Sequence, residues 1–273
     1  MKLSRITAYM SSLLLAAAFA LTGAAAAHAE QPADQKATAT GYVALGDSYS
    51  SGVGAGNYDS GSGNCKRSNR AYPVLWAAAH SPSSFNFTAC SGARTGDVLA
   101  NQLGPLGPGT GLVSLSVGGN DAGFADVMTT CVLQSESNCL ARINQARQYV
   151  DSTLPGNLDR VYDAISAKAP AARVVVLGYP RFYKLSGSCV AGLSERERAA
   201  INGAADHLNA ATEKRAADHG FAFGDVTSTF AGHEICSGSP WLHSVNWLNP
   251  GESYHPTAAG QSGGYLPVFT AAA

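Results

Sequence analysis

Three short segments of the chain pair a reactive side chain or a backbone amide with glycines that let the backbone come close to a ligand, and a fourth carries a histidine just before a helix start. Gly46-Asp47-Ser48-Tyr49-Ser50 offers a hydroxyl, Cys90-Ser91-Gly92-Ala93 an unencumbered amide, Gly118-Gly119-Asn120-Asp121 a neutral side-chain amide, and Glu252-Ser253-Tyr254-His255-Pro256 an imidazole. A serine hydroxyl is a weak nucleophile until a base takes its proton. Histidine suits that task because its ordinary pKa lies near neutrality. Backbone N–H groups and an Asn amide can donate to an oxyanion without bringing a charge of their own. The combination predicts acyl transfer with Ser48 as nucleophile and His255 as general base. Gly92 N–H and the Asn120 amide could donate to the oxyanion, and Glu252, three residues before His255, could hold the imidazole.

Taken singly, each segment has a plainer explanation. A Ser after a strand is commonly a turn or helix cap. Gly92 alone fits an ordinary turn, and His255 alone fits a surface residue beside a helix start. Asp121 reads as structural, a cap for the following helix. The joint presence of the four, in this order, favours chemistry.

These residues need a scaffold, and the hydrophobic pattern supplies one. Short apolar runs begin at Tyr42, Phe85, Leu112, Arg173 and Phe221, and each is closed by Gly or turn residues. The Val-Val-Val-Leu run within Arg173 to Tyr179 suits a parallel strand buried on both faces. Helical stretches lie between the strands: Ala71 to His80, 139–168 with a break at Pro155, Ser194 to about His219, and Pro256 to Phe269. Ser194 with Glu197 has capping-box spacing. Alternating strands and helices predict an α/β fold, a parallel sheet covered on both faces, with the active site beyond the carboxyl ends of the strands. The Gly- and Ser-rich stretch Ser50 to Asn69 reads as a long loop lining the site, without an apolar lid.

Composition narrows the class. A basic start (Lys2, Arg5), an uncharged Ala/Leu run from Ile6 and the Ala27-His28-Ala29 site read as an export signal over 1–29. Residues 30–40 read as a loose arm and 41–273 as one catalytic domain. Without the signal, sixteen basic residues face nineteen acids, a net charge of −3 that gives no reason to expect nucleic acid or an anionic membrane as main partner. No later segment resembles a membrane span, and a secreted monomer acting on a small-molecule or lipid ester is expected. The six cysteines allow fifteen pairings. Loop geometry favours Cys65–Cys90, Cys131–Cys139 and Cys189–Cys236 over a metal role, since none has zinc-ligand spacing.

Several motifs are set aside. Gly52-Val53-Gly54-Ala55-Gly56 has the wrong spacing for a dinucleotide loop, and no G-x-S-x-G elbow occurs. The Asn86-Phe87-Thr88 sequon falls in a strand, and the Asp206/His207 and Asp218/His219 pairs lie on a polar helix.

The four blocks, in this chain order, resemble the SGNH (GDSL-type) hydrolase superfamily, and the start Tyr42 to Ser50 with the six cysteines and the signal looks most like its secreted actinobacterial lipases and esterases. The resemblance spans Gly46 to Gly260. It implies a three-layer α/β/α, flavodoxin-like fold with five parallel strands, a carboxylic ester hydrolase activity and no metal or organic cofactor. It also implies the roles: Ser48 as nucleophile and, through its N–H, oxyanion donor, Gly92 N–H and the Asn120 side chain as further donors, and His255 as base. Phospholipid and acetylated-sugar esters are alternative substrates, and a binding module that kept the fold is the non-enzymatic alternative. One position departs from the family pattern. The acid before the His is usually Asp, whereas this chain has Glu252, and some members use a main-chain carbonyl instead. Glu252 is the expectation here, with the carbonyl as its rival.

Overall fold

The computed structural model describes residues 40–187, 189 and 192–273; the export signal expected over 1–29 and nearly all of the expected arm lie outside the described residues. Five strands form one sheet: β1 Gly41–Ala44, β2 Phe85–Phe87, β3 Thr110–Leu115, β4 Arg173–Leu177 and β5 Ala222–Gly224. All pairings are parallel, in the order β2-β1-β3-β4-β5. Tyr42, Val43, Val113, Leu115 and Val174 to Leu177 are buried, which is why these strands read as unbroken apolar runs.

Among the described residues, eight α-helices connect or flank the strands: α1 Ser48–Ser51, α2 Tyr72–His80, α3 Thr95–Asn101, α4 Phe124–Leu133, α5 Glu136–Ser152, α6 Leu154–Lys168, α7 Glu195–Asp218 and α8 Leu266–Ala272. α2 packs on α8, while α3 packs on α6 and α6 on α7. That grouping gives the two helical layers that right-handed crossovers produce in this strand order. The chain leaves β1 toward β2 on one side and returns to β3 on the other. The loops after β1 and β3 therefore part at a switch point, the place where open α/β sheets bind ligands.

Some boundaries differ from those the sequence suggests. β2 ends at Phe87, short of Cys90. The helical stretch 139–168 is two helices: α5 ends at Ser152 and α6 starts at Leu154, so Pro155 sits in a first turn where its missing N–H costs nothing. The last helical segment carries a π-helical turn over Gly260–Tyr265. Pro267, just beyond it, cannot donate to a preceding carbonyl, and the widened turn makes room for its ring. α3 and α4 have no counterpart in the sequence reading. The capping box of α7 is formed: Ser194 Oγ accepts from Glu197 N–H and Glu197 Oε2 from Ser194 N–H, at 3.1 and 2.8 Å.

Three disulfides join Cys65 to Cys90, Cys131 to Cys139 and Cys189 to Cys236. Among the described residues, no helix is long and apolar enough to cross a membrane.

Candidate active site

β1 delivers Ser48 through a tight turn. Gly46 has φ +120°, and a Cβ there would lie 2.5 Å from the Ser116 carbonyl oxygen, so glycine is required. The buried Gln102 amide satisfies both backbone groups of Gly46, accepting from its N–H at 2.7 Å and donating to its carbonyl at 2.9 Å. Asp47 then caps the short helix α1, with Oδ1 accepting from Tyr49 N–H at 3.0 Å. Ser48 opens α1. Its N–H and that of Gly92 have no acceptor among the described residues.

Asp47 also ties the serine loop to its neighbours. Its Oδ1 accepts from Ser116 Oγ at 2.7 Å and its Oδ2 from the Tyr179 hydroxyl at 2.5 Å. The Tyr179 hydroxyl in turn accepts from Gly119 N–H at 3.3 Å. One phenol at the end of β4 thus bridges the loop after β1 and the loop after β3. Burial pushes the Asp47 carboxyl up to about 6, against the lowering effect of the Tyr179 and Ser116 hydrogen bonds. Sequence reasoning assigned no role to Asp47, Gln102, Ser116 or Tyr179. The available signal was a polar residue at or just beyond a strand end, in Leu177-Gly178-Tyr179 and in Ser114-Leu115-Ser116.

Gly92 has φ +77°, and its loop is pinned twice: by the Cys65–Cys90 bridge and by Ser91 N–H donating to the Cys65 carbonyl at 3.1 Å. Asn120 Nδ2 donates to the Ala93 carbonyl at 3.0 Å. One amide hydrogen thus fixes the side chain to the Gly92 loop and the other is left for a ligand. Asp121 is structural, as expected, but it serves α3 rather than the following helix: its carboxylate accepts from Thr95 N–H and, at 2.5 Å, from Thr95 Oγ1.

His255 Nε2 lies 2.7 Å from Ser48 Oγ, and Nδ1 lies 3.0 Å from the Ser253 carbonyl oxygen. A carbonyl only accepts, so Nδ1 carries the hydrogen and Nε2 is the basic nitrogen facing the hydroxyl. The imidazole pKa falls to about 4. Loss of water at the half-buried ring is the main cause, opposed by the Ser253 carbonyl and helped by nearby His243 and Lys66. Tyr254, between Ser253 and His255, holds φ +67°, and the Tyr49 hydroxyl donates to its carbonyl at 2.8 Å. This turn aims the Ser253 carbonyl at the ring. The Glu252 carboxylate does not reach it. Oε1 accepts from the Tyr58 hydroxyl at 2.7 Å, and that hydroxyl accepts from Gly54 N–H at 2.9 Å. Glu252 therefore braces the loop behind the histidine, and the expected contact with the imidazole is replaced by a main-chain carbonyl.

Ser48, Gly92, Asn120 and His255 line one pocket of about 400 Å³. Its wall is largely apolar and comes from α4 (Phe124, Met128, Val132), from Val150 of α5 and from Ile201 and Leu208 of α7. The stretch Ser50 to Asn69 contributes none of the lining, contrary to expectation; it supports the histidine loop through Tyr58 and the Gly92 loop through Cys65. The Asp/His pairs set aside from the sequence form outer contacts. His207 pairs with Asp151, His219 with Asp159, Asp206 with Arg181, and Asp218 with Lys214 and Arg215.

This geometry joins a hydroxyl to a neutral base beside free amide donors and an apolar cavity. Comparison with known proteins agrees. Residues 44–262 match the model of the GDSL-like lipase/acylhydrolase family. The chain belongs to that family. It is 72% identical over its whole length to Lipase 1 of Streptomyces coelicolor, and covers all of that protein. Two crystal structures cover 86% of this chain and are themselves covered in full: a phospholipase A1 from Streptomyces albidoflavus (71% identity, TM-score 0.85) and an extracellular lipase from Streptomyces rimosus (72%, TM-score 0.84). This GDSL-family chain is a serine ester hydrolase with the five-stranded parallel sheet of its structural relatives.

Proposed function

We propose that the protein is an exported acyl-ester hydrolase of glycerolipids, working through Ser48. His255 Nε2 takes the Ser48 proton as Oγ attacks the ester carbonyl. The tetrahedral oxyanion is held by Ser48 N–H, Gly92 N–H and Asn120 Nδ2. His255 then protonates the departing alkoxide, and the alcohol leaves the acyl-enzyme. Water, deprotonated by the same imidazole, releases the fatty acid and restores Ser48. The Ser253 carbonyl keeps the imidazole tautomer and accepts from Nδ1–H throughout, so the reading is a Ser–His dyad supported by a main-chain dipole.

The observation that carries the substrate class is the mainly apolar pocket of about 400 Å³ that opens beside Ser48. A short acetyl group would leave most of it empty, whereas a long acyl chain would fill it. The pocket follows α4 from Phe124 to Leu133, about 13 Å at 1.5 Å per residue. The phospholipase A1 and lipase relatives support glycerolipid esters, and the paired cysteines support export. Specificity is tested with p-nitrophenyl esters from acetyl to palmitoyl, beside triolein and phosphatidylcholine. The proposal expects kcat/KM to rise with chain length and fatty acid to be released from both lipids. A preference for acetyl esters, with neither lipid cleaved, would overturn it in favour of a carbohydrate acetyl esterase.

A further inference from the structure

Soluble proteins seldom leave large apolar side chains fully in water, and a cluster of them marks an interaction surface. Among the described residues, four large hydrophobic side chains are exposed, and three are Leu133, Trp247 and Leu248, at 65%, 70% and 99%. Leu133 and Trp247 both line the pocket that ends at Ser48, so they lie at its open mouth. Leu248, next to Trp247, points away from the pocket wall into solvent. The turn that presents it is held from within: Asn246 Oδ1 accepts from Leu248 N–H at 3.1 Å and from Asn249 N–H at 3.0 Å, and Asn246 N–H donates to Ser253 Oγ at 2.8 Å. The exposed pair is thus built into the loop that carries His255.

The charge around the mouth identifies the occupant. Segments 124–133 and 241–254 contain no Lys or Arg and carry the acids Asp126 and Glu252. The cations near it are Lys66, whose Nζ lies 3.4 Å from where a Gly251 Cβ would sit, Arg147, which lines the pocket, and Arg142, which lies 3.9 Å from Asp126, so acids and bases are mixed around the mouth. A mouth of this composition suits a neutral or zwitterionic lipid surface rather than an anionic one. A Trp beside a fully exposed Leu suits the boundary between head groups and acyl chains.

We infer that Leu133, Trp247 and Leu248 form a docking surface for the surface of a lipid aggregate, seating the mouth of the acyl pocket on it so that a chain passes to Ser48 without crossing water. The inference rests on the lipid-hydrolase reading above and adds the surface that engages the aggregate. Burying one Leu or Trp side chain in a lipid interface favours binding by about tenfold or more.

The test uses the full mature chain. Adsorption is measured with the Ser48→Ala protein, which leaves the lipid intact, by sedimentation with phosphatidylcholine vesicles and by the emission shift of Trp247 against a Trp247→Phe control. Adding Leu248→Asp should weaken vesicle binding at least tenfold, and Leu248→Ser by a smaller factor in the same direction. Replacing phosphatidylcholine by phosphatidylglycerol, or raising salt, should change binding by less than about threefold. With Ser48 present, Leu248→Asp should hydrolyse p-nitrophenyl butyrate below its solubility limit within twofold of the parent and hydrolyse emulsified triolein at least tenfold more slowly. Leu248 variants with unchanged vesicle binding and unchanged emulsion turnover would overturn the inference. So would binding that requires phosphatidylglycerol and ignores Leu248. If the parent cleaves soluble esters but does not bind vesicles, the docking surface fails alone; if it cleaves neither soluble nor emulsified esters, the reading of function fails with it.

Discussion

At the scale of single residues, the site separates side chains that face reacting atoms from those that hold them. Asn120 spends one amide hydrogen on Ala93, and in the proposed mechanism the other serves charge that forms only in the transition state. Asn120→Ala should therefore lower kcat by on the order of a hundredfold with little change in KM; a change confined to KM would contradict that role. Glu252 belongs to the supporting set. Because its carboxylate meets Tyr58 rather than His255, Glu252→Gln should keep kcat/KM within about threefold, less than 1 kcal/mol of transition-state stabilisation. A loss of orders of magnitude would restore the triad. As the proposed base the His255 imidazole must be neutral, and its pKa lies at about 4, below the ordinary 6.5. The kcat/KM profile should accordingly stay flat as pH falls from 8 to about 5 and drop by half near 4. A limb at 6.5 that persists in Asp47→Asn would refute this. That Ser48, Gly92, Asn120 and His255 would come together in one pocket was legible, because Ser, Asn and His are reactive types and each of the four lies near glycines or a helix start. The role of Ser253 was not, because a carbonyl has no residue signature: the left-handed Tyr254 aims it, and no spacing rule announces a left-handed tyrosine.

At the scale of elements, strands were easier to read than short helices. β4 announced itself through its β-branched run, and α7 through its capping box. α4 did not: it is capped by Gly123 without a side-chain acceptor and contains Thr129, Thr130 and Val132, poor helix formers that tertiary packing overrides. Missing α4 meant missing the apolar pocket, since that helix forms much of its wall. The loops depend on cross-links that no local pattern reveals. Tyr179→Phe removes the donor to the buried Asp47 Oδ2 and should cost about 1.5–3 kcal/mol at pH 8 by urea titration. The folded-state pKa of Asp47 is raised to about 6, so this group's stabilising contribution is full below about 4 and is lost as pH rises through 6. The penalty of Tyr179→Phe should therefore shrink by pH 4.5, where Asp47 is mostly neutral; an equal cost at both pH values would count against the bridge. Replacing both Cys65 and Cys90 by Ser should cost roughly 2–4 kcal/mol and also lower kcat, because the bridge and the Cys65 carbonyl both hold the loop of Gly92. Lost stability with unaltered kcat would make this bridge structural alone.

At the scale of the whole molecule, the strand order 2-1-3-4-5 makes the arrangement possible. The switch point between β1 and β3 brings loops distant in sequence to one end of the sheet. Ser48 and His255 are 207 residues apart and meet at 2.7 Å because β1 and the loop before the last helical segment share that end. The layered fold was legible from the alternation of strands and helices. The shape of the cavity was not, since it depends on how α4, α5 and α7 diverge. The proposed role of Ser48 is that of the nucleophile of an ester hydrolase, activated by a neutral His255. It is tested most directly by peptide mass mapping after reaction with an alkyl p-nitrophenyl phosphonate. One adduct per chain is expected, on the peptide containing Ser48. None is expected in Ser48→Ala, which should fold normally and lose ester hydrolysis. An adduct on another serine, or a folded Ser48→Ala protein that still turns over esters, would contradict it.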